Sequence, residues 1–183
     1  MKKLFTLTLW CCLLTISAQT YTIYPVPQSI TPQSGIVAFT TDVNVVCESG
    51  IDQATKNRLE GILGEHGLTC TYSAGIKANS SNILLGIGGS NGAADNQATS
   101  IGLDRSALTQ SGKYDRHIIR LWKSGEYARL LVLGENTDAV FFGLASVEQM
   151  MDQYAPEAMP AVTINDWADL QSRGLVEGYY GYP

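Results

Sequence analysis

The strongest helical pattern in the sequence lies at residues 136–154, and the rest of the chain must form a surface that covers the apolar side of this helix. Seven apolar side chains recur there at helical spacing: Val140, Phe141, Leu144, Val147, Met150, Met151 and Tyr154. Thr137 is placed to cap the start of this helix, and Pro156 ends it. Because such a helix must bury its apolar stripe against another element, the strands predicted around it indicate a helix packed on a sheet.

Short apolar segments on both sides of this helix predict the sheet. We predict strands at 35–41, 42–47, 68–73, 82–87, 115–123, 127–134 and 161–164, and a first helix that starts at Ser49 and Asp52 and ends at Gly67. Residues 86–107 predict a polar, glycine-rich loop. The order indicates an α+β fold, a mixed β-sheet with two helices packed on one face.

Residues 1–18 have the pattern of a secretory signal peptide. Two lysines precede an apolar stretch at 4–14, which is too short to span a bilayer, and cleavage is predicted after Ala18. Trp10 is too bulky for a lipoprotein signal at Cys11. The sequence therefore predicts export to the periplasm or the outside, with no transmembrane segment.

Without this leader the chain is acidic, with 10 Lys and Arg against 17 Asp and Glu. No basic cluster is left, so nucleic-acid binding has no electrostatic support. His66 and His117 are the only histidines, and neither has a second ligand at metal spacing. We expect no metal and no cofactor.

Cys47 and Cys70 are the two cysteines beyond the leader. They bracket the first predicted helix, so they could lie on neighbouring strands of a βαβ unit. Export would permit a disulfide between them, whereas two buried thiols would also fit the pattern.

The glycine-rich residues 86–92 follow a predicted strand, which is the position of a nucleotide-binding loop. Gly86 and Gly88 fit the dinucleotide pattern, but Asn91 occupies the position of its third glycine, and no Lys-Ser/Thr follows. The pattern favours a flexible loop.

The last eleven residues, 173–183, predict a buried strand at Leu175 and Val176 that runs into a glycine-rich, aromatic loop. They resemble the first barrel strand of the family 84 glycoside hydrolases, approximately Arg-Gly-Val-(Val/Ile)-Glu-Gly-Phe-Tyr-Gly-x-Pro-Trp. The matching residues are Arg173, Gly174, Val176, Glu177, Gly178, Tyr180, Gly181 and Pro183. The resemblance implies the first strand of a truncated (β/α)8 barrel.

Residues 23–28, 83–86 and 142–150 resemble the small N-terminal domain that precedes the barrel in hexosaminidases of families 20 and 84. This resemblance implies three parts: the signal peptide at 1–18, the N-terminal α+β domain at 19–165, and a linker with the first barrel strand at 166–183. In family 20 the first strand ordinarily continues to an Asp and an Arg-His pair, which this sequence lacks, so family 84 is preferred.

The resemblance also implies a chemistry that this chain cannot complete. In family 84 two adjacent aspartates assist the substrate's own acetamido group in a retaining mechanism, and this sequence contains no Asp-Asp pair. We therefore expect no catalytic residue in the chain. Gly178 and Tyr180 are the implied substrate-binding residues, Glu177 is expected to stabilise the barrel, and Trp167 is expected to pack between domains.

The expected function is that of the accessory domain of a secreted β-N-acetylglucosaminidase, inactive alone, whose missing barrel binds N-acetylglucosamine-containing glycans. The alternative is a stand-alone carbohydrate-binding or interaction module. It predicts a row of exposed aromatic side chains on one sheet face, for which Tyr114, Trp122 and Tyr127 are the candidates.

Overall fold

Seven strands form one mixed sheet in the part of the chain that the structure, a computed structural model, describes: residues 21–172. The strands are β1 (Ser29–Val37), β2 (Asp42–Cys47), β3 (Thr69–Tyr72), β4 (Ser81–Ile87), β5 (Tyr114–Ser124), β6 (Tyr127–Gly134) and β7 (Met159–Ala168). The helices are α1 (Gln53–Glu65), α2 (Ala93–Ser100) and α3 (Thr137–Gln153), and Ser106–Thr109 form a 3-10 turn. The predicted α+β class and mixed sheet are confirmed.

The sheet has a parallel half and an antiparallel half. Its strands lie in the order β1-β7-β5-β6-β4-β2-β3. From β3 to β6 each strand is parallel to its neighbour, and from β6 to β1 each pairing is antiparallel. Nearly every residue of β4 and β6 is buried, as expected of central strands that are covered on both faces.

Helices α1 and α3 pack side by side on one face of the sheet and close the larger core. Leu59, Ile62 and Leu63 of α1 and Val140, Leu144 and Val147 of α3 are buried in it. The carboxylate of Asp52 accepts the Thr55 N–H at 2.8 Å and caps α1, while Gly67 adopts φ 72° just after the helix. Both of these predicted helix boundaries are confirmed.

The start of α3 differs by one residue from the prediction. Asn136, and not Thr137, is the cap, because its side-chain oxygen accepts the Ala139 N–H at 2.9 Å. The Thr137 hydroxyl instead accepts the Asp52 N–H at 3.1 Å. It thereby joins the starts of α1 and α3.

The predicted loop at 86–107 contains a third helix, which is the main correction to the predicted fold. Helix α2 packs on the opposite sheet face and buries Ala94 and Ala98 against Leu84 and Leu131. Its apolar face consists of small residues, and its cap residue is Gly92, which makes no side-chain capping bond. These local signals are too weak to predict a helix.

Strand β7 is longer than the predicted strand at 161–164. It runs from Met159 to Ala168, so residues 166–168 of the predicted linker belong to the sheet. The predicted leader, cleavage site and barrel strand lie outside the described residues. Within residues 21–172, we find no helix with the length and apolar character needed to cross a membrane.

Candidate functional site

A groove of about 540 Å³ lies where β7 ends, between the start of the described chain and α3. We call it the β7 groove, and its apolar lining includes Tyr24, Val26, Phe142, Ala145, Trp167 and Leu170. Tyr24 is 69% exposed, Val26 72%, Phe142 44% and Leu170 67%. Side chains of this size are normally covered, so their concentration at one site marks a surface built for contact.

Two glutamines of α3 hold the groove wall formed by the first described residues. The Gln149 amide accepts the Tyr24 N–H and donates to the Tyr24 carbonyl, both at 2.8 Å. Gln153 makes the same pair of bonds to Thr22, at 2.8 and 2.7 Å. Each amide thus satisfies one backbone donor and one backbone acceptor of an extended segment, which fixes Tyr24 beside Phe142.

The floor of the groove is more polar. His117 of β5 is 3% exposed, and its Nδ1 lies 2.9 Å from the Asp115 carbonyl oxygen. Asp166 faces His117 across the β5–β7 pairing and accepts the Gln28 N–H at 3.3 Å. The His117 ring is buried beside Gly143 of α3.

A carboxylate of the chain itself fills the glycine-rich loop after β4. One oxygen of Glu48 accepts the Ile87 N–H at 3.0 Å and the Ser90 hydroxyl at 2.6 Å. The other oxygen accepts the N–H groups of Ala94 and Asp95, at 3.0 and 3.1 Å. The start of α2, where a nucleotide phosphate would bind, is therefore already neutralised from inside the protein.

The glycines of this loop are required by the space that Glu48 occupies. A Cβ at Gly86 would lie 2.5 Å from Glu48 Oε1, and a Cβ at Gly92 would lie 2.3 Å from Glu48 Cδ. The glycine pattern thus reflects internal packing, and the loop is more ordered than the flexible loop that we predicted.

Asp95 stabilises the other side of the same loop. Its carboxylate accepts the Gly89 and Asn91 N–H groups, at 3.0 and 3.1 Å, and pairs with Arg105 at 2.6 Å. Burial acts to raise the pKa of Asp95, but the two backbone bonds and the Arg105 guanidinium outweigh it and hold that pKa below its usual value.

Cys47 and Cys70 lie on the adjacent parallel strands β2 and β3, as a βαβ unit requires, and both are free thiols. Cys70 pairs with Val43, four residues before Cys47. Along a strand this offset is about 13 Å, whereas the Cα atoms of a disulfide lie about 4.4–6.8 Å apart. The register therefore does not favour the bridge that the sequence allowed.

We expect both cysteines to be reduced in the purified protein. Iodoacetamide added to the unfolded chain without reductant should modify Cys47 and Cys70 completely. In the folded chain Cys47 should react slowly at pH 8, because burial raises its pKa to about 11. Peptide mass spectrometry measures both results, and a recovered Cys47–Cys70 cross-linked peptide would contradict them.

The described residues offer no metal centre, since no group of three or more His, Cys, Asp and Glu side chains among them is placed to hold a metal ion. His66 lies at the carboxyl end of α1, with Nε2 3.4 Å from Asp152 Oδ1. The sequence placed it at that helix end.

The three aromatic side chains proposed as a sugar-binding row do not share a face. β5 has an irregularity between Tyr114, which pairs with Ala168, and His117, which pairs with Asp166. The extra residue reverses the alternation, so Tyr114 and Trp122 lie on opposite faces. Trp122 is partly buried against the smaller core. Tyr114, Trp122 and Tyr127 therefore do not form the single row that the carbohydrate-binding alternative predicts.

The predicted substrate-binding residues Gly178 and Tyr180 lie outside the described residues, as does Glu177. Trp167, which the sequence assigned to packing between domains, lines the β7 groove and also packs against the smaller core. Sequence reasoning missed the groove itself and Glu48. The groove is built from four separate segments, and the environment of Glu48 depends on contacts between β2 and α2.

The described residues thus form an α+β domain with a seven-stranded mixed sheet and helices on both of its faces. The family model for Glycosyl hydrolase family 20, domain 2, matches residues 20–167. The chain therefore belongs to this domain family.

Solved structures agree with this assignment. The structure of CpGH84D is 40% identical, with a TM-score of 0.79 over 89% of this chain and 26% of that one. CpGH84B is 18% identical, with a TM-score of 0.65 over 89% and 25%. The chitobiase FjGH20 of Flavobacterium johnsoniae is 13% identical, with a TM-score of 0.50 over 80% and 21%. The chain spans about a quarter of these proteins, and the last two show the fold alone.

Proposed function

We propose that this chain is the N-terminal accessory domain of an exported β-N-acetylglucosaminidase of the family 84 type. The observation that carries the proposal is the 40% identity to CpGH84D over 89% of this chain, which corresponds to 26% of that protein. At this level of identity the domain shares more with a family 84 protein than a common fold. The match leaves room in the relative for a much larger second part.

The geometry of the described residues supports an accessory role. The loop that most resembles a ligand site is filled by Glu48, and the prominent open surface is the apolar β7 groove. Retaining hydrolysis of this kind requires an acid and a group that orients the acetamido oxygen, and both are implied to lie on the barrel. Gly178 would lie at the edge of the sugar pocket, where the absence of a side chain lets a ring approach the backbone. Tyr180 would shape the same pocket.

We expect the purified 183-residue chain to release no detectable chromophore from a chromogenic N-acetylglucosaminide. The physical reason is that the chain lacks the adjacent aspartates of the family mechanism. The assay compares the chain with an active hexosaminidase at equal molar concentration. Turnover that grows in proportion to the purified chain, and co-elutes with it, would contradict the proposal.

A further inference from the structure

We propose that a cleft on the α2 side of the sheet binds an acidic sugar, with Arg120 holding the sugar's carboxylate. The cleft has a volume of about 340 Å³ and lies between strands β1, β5 and β7 and the segment 101–104 that follows α2. We call it the Arg120 cleft. Helix α2 packs mainly on β2, β4 and β6, so this outer part of the sheet face lies beside the helix.

The strand register places the polar side chains of the cleft on one face. Ile118 of β5 packs with α2 in the smaller core, and Arg120, two residues later, points to the same face. Ile118 pairs with Asn165 and Arg120 pairs with Thr163, so both β7 side chains also lie on this face. Thr31 of β1 pairs with Thr163 and completes the row.

Arg120 differs from the other arginines of residues 21–172 in its partners. The others donate to carboxylates or to backbone carbonyl oxygens, and they are Arg58, Arg105, Arg116 and Arg129. Within those residues Arg120 donates to the Thr163 hydroxyl, a neutral acceptor that engages one of its five N–H groups. Burial lowers the pKa of Arg120, and no described carboxylate offsets this cost. An anion from outside the domain would satisfy this cation.

The rest of the lining favours an anion that also carries hydroxyl groups. Thr31, Gln33 and Asn165 supply a hydroxyl and two amides, which can donate to or accept from sugar hydroxyls. Asp104 supplies a carboxylate that accepts the Ser106 N–H at 2.9 Å. This bond and the Ser106 hydroxyl hold the pKa of Asp104 below its usual value, so Asp104 is an acceptor at neutral pH.

These groups also orient the ligand. Asp104 would repel the carboxylate of the sugar and accept its ring hydroxyls, so the carboxylate points to Arg120. The guanidinium can hold it with two parallel N–H bonds. The volume of the cleft lies near the lower end of the range of about 300–1,000 Å³ for small-molecule sites, which suits one sugar unit. The ligand class is therefore a uronic acid.

This inference does not rest on the proposed function. The test measures binding to the described domain and no hydrolysis, so its failure and the failure of the proposed function are distinguishable.

The test compares two glycosides that differ only at C6 of the sugar. The chain without its predicted leader, residues 19–183, is labelled with ¹⁵N and titrated with methyl glucuronide or methyl glucoside. We expect methyl glucuronide to shift the amide signals of residues 31–33, 101–104, 120 and 163–165 until they saturate, with a Kd on the order of 1 mM. Methyl glucoside offers no carboxylate to the guanidinium and should bind roughly tenfold more weakly. Sodium acetate offers the carboxylate without the ring hydroxyls, and we expect a similar loss.

Matched variants assign the binding to Arg120. Arg120→Gln removes the cation and should abolish the saturable shifts. Arg120→Lys keeps the charge without the planar fork and should bind with intermediate affinity. Lys123→Gln is the control, because it removes an exposed cation from the same strand outside the cleft and should leave the Kd unchanged. The dispersion of each spectrum shows that the variant is folded, and the comparison of the two glycosides uses the unaltered chain.

Four results would overturn the proposal. Methyl glucuronide could cause no saturable shifts, or the two glycosides could bind with the same Kd. The binding could also survive Arg120→Gln. Finally, acetate could bind as tightly as methyl glucuronide, which would leave an adventitious anion only.

Discussion

Glu48→Ala is expected to lower the free energy of unfolding by about 3 kcal/mol. The change removes the acceptor for three backbone N–H groups, those of Ile87, Ala94 and Asp95, and for the Ser90 hydroxyl. It also removes the negative charge at the amino end of α2, a helix with no side-chain cap of its own. Urea denaturation followed by circular dichroism measures the difference.

Two further variants test whether this loss of stability comes from the hydrogen bonds that the Glu48 carboxylate accepts. Glu48→Gln keeps one acceptor oxygen but turns an NH₂ group toward donors, so its loss should be smaller, about 2 kcal/mol. Glu157→Ala removes an exposed carboxylate before β7 and should change stability by less than about 0.5 kcal/mol. If Glu48→Ala and Glu157→Ala changed the free energy of unfolding equally, the hydrogen bonds to Glu48 would not stabilise the fold.

Gly143→Val is expected to lower the free energy of unfolding by about 3 kcal/mol, because α3 lies close against the sheet at this glycine. A Cβ there would lie 2.9 Å from Val132 Cγ1 and 3.1 Å from the His117 ring. The branched side chain would push α3 away from β5 and β6. Since α3 also forms a wall of the β7 groove, the groove would be distorted as well. Thermal and urea unfolding measure the loss.

A glycine in α1, which packs on the same sheet face as α3, provides a control in which the expected change in stability has the opposite sign. Gly61 lies in α1, and a Cβ there would find no atom within 4 Å. Gly61→Ala should therefore stabilise the protein by up to about 1 kcal/mol, through helix propensity alone. If Gly143→Val and Gly61→Ala both changed stability by less than about 0.5 kcal/mol, the described packing of α3 would be wrong.

The elements that the sequence predicted well are those whose signals are local. The apolar spacing in α3 and the Asp52 cap of α1 follow from helical periodicity and capping chemistry. Strands β5 and β6 match the apolar segments predicted at 115–123 and 127–134, and Gly125 between them adopts φ 61°. In each case the neighbouring residues along the chain supply the stabilising contacts.

The parts that the sequence did not predict depend on distant residues. Helix α2 follows Glu48 by about 45 positions, and without the carboxylate its sequence is only weakly helical. The irregularity in β5 reverses the face of Tyr114, which strand alternation alone cannot show. The β7 groove requires the order β7-β5-β6, in which β7 pairs with a strand far from it in sequence.

The prediction that Gly178 and Tyr180 bind substrate still rests on the family 84 resemblance of the sequence. The comparisons support the resemblance of this chain to family 84 proteins, since 40% identity to CpGH84D extends over 89% of the chain.

The proposal that this domain is part of a longer glycosidase is tested directly by sequencing the gene and its transcript beyond the codon for Pro183. We expect the reading frame to continue into a barrel, in which an adjacent pair of aspartates follows an apolar strand. A stop codon directly after Pro183, confirmed in the transcript, would contradict the proposal.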